Sequence, residues 1–91
     1  MERYRIIFKG TVQGVGFRMF AQQFATKRGL TGYAKNLYTG DVEVEVQGDE
    51  EEIKAFVFDM YNCKRGLLRV EDYHLKKVSI DPTETSFKAR Y

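Results

Sequence analysis

"YAKNLYTGDVEVEV", residues 33–46, decides the fold because it holds two strand patterns joined by a turn signal. YAKNLY (33–38) predicts one strand, and TGD (39–41) supplies the turn. In VEVEV (42–46), valines alternate with glutamates, which is the period of a strand with one buried face. The stretch therefore predicts a β-hairpin.

The residues before the hairpin predict a strand, a glycine-rich loop and a helix. Tyr4, Ile6 and Phe8 form the apolar face of an alternating strand. Beyond the loop, apolar residues recur at helical spacing, and Gly29 lies where a left-handed glycine ends such a helix. The apolar positions of this helix are Phe17, Phe20, Ala21, Phe24 and Ala25.

The residues after the hairpin predict a second helix. Asp49 is a candidate N-cap, with Glu52 in the capping-box position, and the acidic run 49–52 suits the positive end of a helix dipole. Gly66 is the expected end signal. The predicted buried stripe consists of Ile53, Phe56, Val57 and Met60.

The C-terminal residues predict a fourth strand and a short final one. The fourth lies within 69–80, where the alternation slips between Leu75 and Val78, which indicates either a bulge or a misplaced boundary. Pro82 interrupts the pattern. Alternation then resumes in SFKARY (86–91), at Phe87, Ala89 and Tyr91.

This element order predicts one α+β domain over residues 1–91. Two interleaved strand–helix–strand units give a ferredoxin-like βαββαβ sandwich, an antiparallel sheet with both helices on one face.

Composition excludes several classes of function. A single cysteine (Cys63) leaves no internal disulfide and no zinc cluster, and a single histidine (His74) leaves catalysis by a Ser–His or Cys–His pair with little support. A net charge of +2 gives no reason to expect nucleic acid or an anionic membrane as a partner. The longest apolar stretches are a few residues, so we expect no signal peptide, no membrane span and a cytoplasmic location.

GTVQGVGFR, residues 10–18, carries the chemistry of the candidate site. Gly14 and Gly16 let backbone amides approach an anion at a helix N-terminus, and Arg18 adds a planar charged fork that matches phosphate. A plain turn followed by a solvated arginine is the alternative. The stretch matches neither the nucleotide-triphosphate loop nor the dinucleotide fingerprint.

Asn36 is the second unusual residue, because asparagine is depleted in strands. It either ends the strand near the turn or holds a water molecule at a fixed angle through an amide that both donates and accepts. Beside a bound phosphate, such a water would be a nucleophile.

The two motifs together, GTVQGVGFR (10–18) and GYAKNLYTGDVEVEVQG (32–48), resemble those of the acylphosphatase family, and the resemblance runs over the whole chain. It implies the ferredoxin-like fold already reached from the pattern. It also implies that Arg18 is the side-chain ligand of the phosphate and that Asn36 positions the attacking water. The implied phosphate cradle comprises Gln13, Gly14, Val15, Gly16, Phe17 and Arg18.

The resemblance further implies a monomer that acts on a small-molecule acyl phosphate, with no cofactor and no metal. Inorganic phosphate would be product and competitive inhibitor. The carboxylate leaving group departs without a proton, and phosphoryl transfer depends on positioning and charge, so few catalytic groups suffice. Departures from the family pattern are small: Phe8 replaces an aliphatic residue behind the loop, Asp49 replaces a proline, and NCKRGLLRV (62–70) lacks a glycine–proline turn.

Two other functions compete with hydrolysis. RNA-recognition domains share the element order, but they stack bases on aromatics of the third strand, which here is VEVEV. The alternative that stays open is an acylphosphatase-like binding or regulatory domain without turnover, as at the N-terminus of hydrogenase-maturation carbamoyltransferases, which are far longer chains.

Overall fold

The computed structural model describes residues 1–90, in which two helices pack against a five-stranded sheet. The elements are β1 (Glu2–Thr11), α1 (Phe17–Lys27), β2 (Thr31–Asn36), β3 (Val42–Gly48), α2 (Glu50–Tyr61), β4 (Arg69–Lys77) and β5 (Phe87–Arg90). The strand order is β4-β1-β3-β2-β5. The predicted ferredoxin-like α+β fold is confirmed.

The final strand makes the sheet mixed. The pairs β1–β3, β1–β4 and β2–β3 are antiparallel, as predicted, whereas β5 pairs with β2 in parallel. Residues 78–86, the crossing segment, carry the chain from β4 at one edge of the sheet to β5 at the other. Because the crossing segment stays at the end of the sheet where β4 finishes, β5 runs opposite to β4 and parallel to β2. Tyr91, predicted to continue the alternation, lies outside the described residues.

The core lies between the sheet and the helices. Ile6 pairs with Val44 and Phe8 with Val42 across β1 and β3, and all four side chains are fully buried. The predicted stripe of α2 is buried too, including Phe56 and Met60. The alternating pattern of the strands and the helical spacing of α2 therefore identify the faces that form the core.

The other face of the sheet carries a polar cluster instead of helices. Arg3 is only 4% exposed and donates to Glu45, Gln47 and Glu84. Glu84 belongs to the crossing segment, and Gln47 exchanges hydrogen bonds with Asp81 of the same segment. This cluster fastens the crossing segment to the sheet.

The predicted hairpin is confirmed, but β2 lies two residues earlier than expected. Leu37 and Tyr38 belong to the turn and not to the strand. Leu37 N–H donates to the Asp41 carbonyl, and Gly40 N–H donates back to the Leu37 carbonyl. The hairpin turn therefore spans residues 37–41, and Asn36 is the last strand residue.

The N-cap prediction for α2 is confirmed, and the end prediction is wrong. The Asp49 side chain accepts hydrogen bonds from the backbone amides of Glu51 and Glu52. The helix ends at Tyr61, several residues before Gly66: Asn62 is its C-cap, its side chain bonds to the Phe58 carbonyl, and the next amide, Cys63 N–H, bonds to Met60 in a tighter i→i−3 turn.

The predicted irregularity near Leu75 is a strand boundary, since β4 ends at Lys77. A register shift does occur in the β1–β4 pair, but between Lys9 and Gly10. A β-carbon on Gly10 would lie 2.3 Å from the Arg69 carbonyl oxygen, so the close approach of the two strands requires glycine there.

No helix within residues 1–90 is long and apolar enough to cross a membrane.

Candidate active site

The glycine loop, residues 12–16, connects β1 to α1 with alternating backbone handedness. Gly14 and Gly16 have φ values of 72° and 82°, whereas Val15 between them does not take a positive φ. This alternation is the backbone pattern typical of a nest, in which successive amides point toward one side of the loop. A β-carbon on Gly14 would meet nothing within 4 Å, so the left-handed φ, and not crowding, is the reason for glycine there.

The N-terminus of α1 lacks the capping that α2 has. Its N-cap is Gly16, which supplies no side-chain hydrogen bond, and its first turn carries no acidic residue. By contrast, α2 has the Asp49 cap and three glutamates in its first turn. The N-terminus of α1 therefore has neither a side-chain cap nor an acidic residue in its first turn to balance the positive end of its dipole.

Arg18 lies in the first turn of α1, beside the glycine loop. Its Nη1 donates to the backbone carbonyl of Arg90, at the end of β5. One turn further along α1, the Gln22 side chain donates to the carbonyl of Phe87 on the same strand, over 3.3 Å. The polar face of α1 is thus docked on β5, with the Arg18 guanidinium against the end of that strand.

Asn36 faces the same cleft from the end of β2, with its side chain exposed. The cleft has a volume of about 330 Å³. Its walls come from the glycine loop, the first turns of α1, and the ends of β2 and β5. They consist of Val12, Gly14, Gly16, Phe17, Arg18, Met19, Gln22, Asn36 and Ala89. The two sequence motifs therefore meet at one cavity.

Comparison with known proteins agrees with this arrangement. Residues 4–89 match the acylphosphatase family. An acylphosphatase from Clostridium beijerinckii is 43% identical over 91 residues, covering both chains in full. The chain belongs to the acylphosphatase family.

Solved structures show the same relationship. The crystal structure of acylphosphatase from Bacillus subtilis has a TM-score of 0.92 at 37% identity and covers 100% of both chains. A structure of HypF from T. kodakarensis has a TM-score of 0.87 at 36% identity, but the match covers 12% of that chain. Acylphosphatases are metal-independent hydrolases of acyl phosphates, and the chain is accordingly an enzyme of this class.

The side chains of Phe17, Val15 and Gln13, the other predicted cradle residues with side chains, make contacts within the fold. The Phe17 side chain is buried and its ring centroid lies 5.0 Å from that of Phe8. Val15 is half-buried against the core. The Gln13 side chain donates to the carbonyls of Leu37 and Asp41 in the hairpin turn. Phe8, which stands where the family pattern has an aliphatic residue, therefore packs behind the loop against Phe17.

Sequence reasoning missed four wall residues of the cleft: Val12, Met19, Gln22 and Ala89. Gln22 could have been found, because it lies four residues after Arg18 and so on the same face of α1. Ala89 reaches the cleft only through the parallel pairing of β5 with β2, which no local pattern indicates.

The remaining candidates lie away from the cleft. His74 is exposed on β4, with its Nε2 3.5 Å from a carboxylate oxygen of Asp72. Cys63 is buried after α2, and this burial raises the pKa of its thiol, which disfavours the reactive thiolate. Within residues 1–90, no group of three or more histidine, cysteine or carboxylate side chains is placed to hold a metal.

A second, larger groove of about 780 Å³ lies between α2 and β4. Its walls are mainly apolar and aromatic, including Phe58, Tyr61 and Tyr73, and its two carboxylates, Glu50 and Asp72, outnumber its one cation, Lys54. The smaller cleft, which holds Arg18 and the uncapped helix, is therefore the candidate active site.

Proposed function

We propose that the chain hydrolyses the carboxyl–phosphate bond of an acyl phosphate, with the glycine loop and Arg18 binding the phosphate and Asn36 orienting the attacking water. One observation carries this proposal. A single cleft joins the uncapped N-terminus of α1, the Arg18 side chain and Asn36. The walls formed by the described residues contain no carboxylate that would oppose an anionic substrate.

The phosphate would be held by charge and by backbone dipoles. The amides of residues 13–18 supply donors from the nest and from the first turn of α1. Arg18 supplies two parallel donors from a guanidinium that is charged at any physiological pH. These groups are in place before the substrate binds, so they stabilise the charge of the transition state with little reorganisation.

The water would be held by the Asn36 side chain. Its amide can accept a hydrogen bond from the water, and it can donate one to the water or to a phosphate oxygen. The water oxygen forms a bond to phosphorus while the bond from phosphorus to the carboxyl oxygen breaks. The leaving carboxylate keeps the electron pair, and both water protons remain on the phosphate. No general acid is needed, because the leaving group is a weak base.

Inorganic phosphate, the product, would compete with the substrate for the same cradle. We expect a monomer in the cytoplasm, with neither nucleic acid nor membrane as a partner.

The experiment that tests the proposal compares two substrates. Purified protein is assayed on benzoyl phosphate and on p-nitrophenyl phosphate, with and without EDTA and with increasing inorganic phosphate. We expect turnover of benzoyl phosphate that EDTA leaves unchanged and that phosphate inhibits competitively. We expect far less turnover of the monoester, whose leaving group is a stronger base. A preference for the monoester, or inhibition that does not compete with the substrate, would overturn the proposed site.

A binding or regulatory domain without turnover is the second candidate, because the HypF match places a similar domain inside a much longer chain. The same assay separates the two. Binding of inorganic phosphate in the cleft without hydrolysis of benzoyl phosphate would favour the binding domain.

A further inference from the structure

Gln13 connects the glycine loop to the hairpin turn through its side-chain amide. Nε2 donates to the Leu37 carbonyl oxygen at 2.7 Å and to the Asp41 carbonyl oxygen at 2.8 Å. Both amide hydrogens are therefore used on the turn. The side chain is half-buried, which shields the two bonds from competition by water.

The backbone ladder of the sheet does not make this connection. Backbone pairing between β1 and β3 stops at the pair Phe8–Val42, so it does not reach the glycine loop or the hairpin turn. Beyond that point, the side chains of Lys9 and Gln13 bond to the turn, Lys9 through the Asp41 carboxylate at 2.8 Å. Of these two contacts, the one from Gln13 originates in the loop itself.

The Gln13 contact acts next to Asn36. Leu37 follows Asn36 directly, and its N–H donates to the Asp41 carbonyl at 2.9 Å. Its carbonyl accepts from Gly40 N–H at 3.2 Å as well as from Gln13. The turn therefore closes through its own backbone, and Gln13 fixes that closed turn relative to the loop.

We infer that Gln13 is a positioning residue that sets the distance and angle between the phosphate cradle and the water held by Asn36. This inference rests on the proposed function. The cradle is carried by β1 and α1, whereas Asn36 is carried by the β2–β3 hairpin, so the line of attack depends on how these two units are joined. A misplacement of about 1 Å can cost on the order of 10²-fold in rate.

The test is a double-mutant cycle with Gln13→Met, which keeps the length of the side chain and removes its donors, and Asn36→Ala. Turnover of benzoyl phosphate and inhibition by inorganic phosphate are measured for the wild type, both single variants and the double variant. We expect Gln13→Met to lower kcat by about 10- to 100-fold, as expected for a misplaced reacting group. Inhibition by phosphate should stay close to that of the wild type. In the Asn36→Ala background, Gln13→Met should lower kcat no further, because no positioned water remains.

Lys9→Met is the matched control. This substitution removes the ion pair between Lys9 of β1 and Asp41 of the turn, but it leaves the hydrogen bond from Gln13 of the loop to the Leu37 carbonyl. We expect a kcat close to that of the wild type. An equal loss of kcat in Lys9→Met and Gln13→Met would show that any loosening of the turn impairs turnover, and it would overturn the inference.

Further outcomes separate the inference from the proposed function. Wild-type kcat in Asn36→Ala would refute the water role of Asn36 and thus the proposed function. If both single variants lose kcat and their effects multiply in the double variant, only the positioning role of Gln13 is refuted. Weaker inhibition by phosphate in Gln13→Met would assign the Gln13 side chain to phosphate binding and overturn its positioning role. If Gln13→Met unfolds, the acceptor-only Gln13→Glu replaces it, and it should lower kcat for the same reason.

Discussion

Arg3 of β1 and Glu84 of the crossing segment form a bidentate ion pair, with Nη1–Oε1 and Nη2–Oε2 distances of 2.8 and 3.1 Å. The pair holds in place the segment that leads to β5, whose Arg90 carbonyl accepts a hydrogen bond from Arg18. A buried ion pair on one face of the sheet therefore supports the strand against which the Arg18 guanidinium lies.

We expect Arg3→Met to destabilise the protein by about 3 kcal/mol, because breaking a buried ion pair leaves the partner carboxylate of Glu45 desolvated. Arg5→Met is the control, since Arg5 binds the same carboxylate but its side chain is 44% exposed. Its loss should be clearly smaller. Urea unfolding followed by circular dichroism measures both. Equal losses of stability in the two variants would show that the burial of Arg3 does not increase its contribution to the free energy of unfolding.

Stability should fall at acid pH because of the same cluster. Burial alone would raise the pKa of Glu45, but hydrogen bonds from Arg3, Tyr33 and Arg5 outweigh it and hold the pKa below its ordinary value of 4.5. Since the unfolded state then binds protons more readily than the folded state, this stabilisation is complete above the ordinary value and is lost as the pH falls through the lowered one.

We therefore expect a melting temperature that changes little from neutral pH to about pH 5 and that falls below it. The pKa values of Asp41, bonded to Lys9, and of Asp81, bonded to Thr83, are lowered too and add to the same trend. Glu45→Gln should make the decline below pH 4.5 less steep. A decline of unchanged steepness would assign the acid sensitivity to the other carboxyls.

Gly16→Ala and Gly29→Ala form a matched pair. Both glycines have positive φ values, 82° and 72°, so each alanine should cost about 1–2 kcal/mol of stability. Only Gly16 lies in the nest, and we expect only Gly16→Ala to weaken inhibition of turnover by phosphate. Thermal melting and inhibition assays measure the two effects. Equal effects of the two alanines on inhibition would remove Gly16 from the cradle.

Arg18→Lys should lose most of the turnover of benzoyl phosphate and most of the inhibition by phosphate, because an ammonium cannot reproduce a bidentate fork. Circular dichroism should show an intact fold, since the Arg18 side chain is only half-buried. Near-normal turnover in Arg18→Lys would exclude Arg18 as the phosphate ligand.

Asn36→Asp keeps the size of the side chain and brings a negative charge toward an anionic substrate. We expect it to raise KM as well as to lower kcat, and we expect the rise in KM to shrink at high salt, where the repulsion is screened. The measurement is steady-state kinetics at low and high ionic strength. A KM that does not respond to salt would place the carboxylate outside the cleft.

The sequence predicts most of the fold because its strands and helices carry their own periodicity. The valines of β3 and the apolar stripe of α2 identify the buried faces without any long-range information. The position of β5 is different, because it depends on the crossing segment and thus on contacts such as Arg3 with Glu84, which lie 81 positions apart. Arg3 stands in a charged N-terminal stretch and has no local feature that indicates burial.

The candidate site divides in the same way. Residues 13–18 and Asn36 stand in two compact motifs that carry the family resemblance, and the structure brings both motifs to one cleft. The contact of Arg18 with Arg90 and the bonds of the Gln13 side chain to Leu37 and Asp41 join distant parts of the chain, and a linear pattern does not contain them. Local motifs therefore indicate candidate site residues, but they do not indicate the long-range contacts that hold those residues in place.

The missing cap of α1 gives the product a second role if the proposed site is correct. Phosphate seated on the first amides of α1 would complete the helix as a removable N-cap, and any ligand that binds only the folded state raises its free energy of unfolding. Product inhibition and resistance to unfolding would then be two consequences of one binding equilibrium. The enzyme would be most stable where its product accumulates, and it would be least stable when the cleft is empty and ready for substrate.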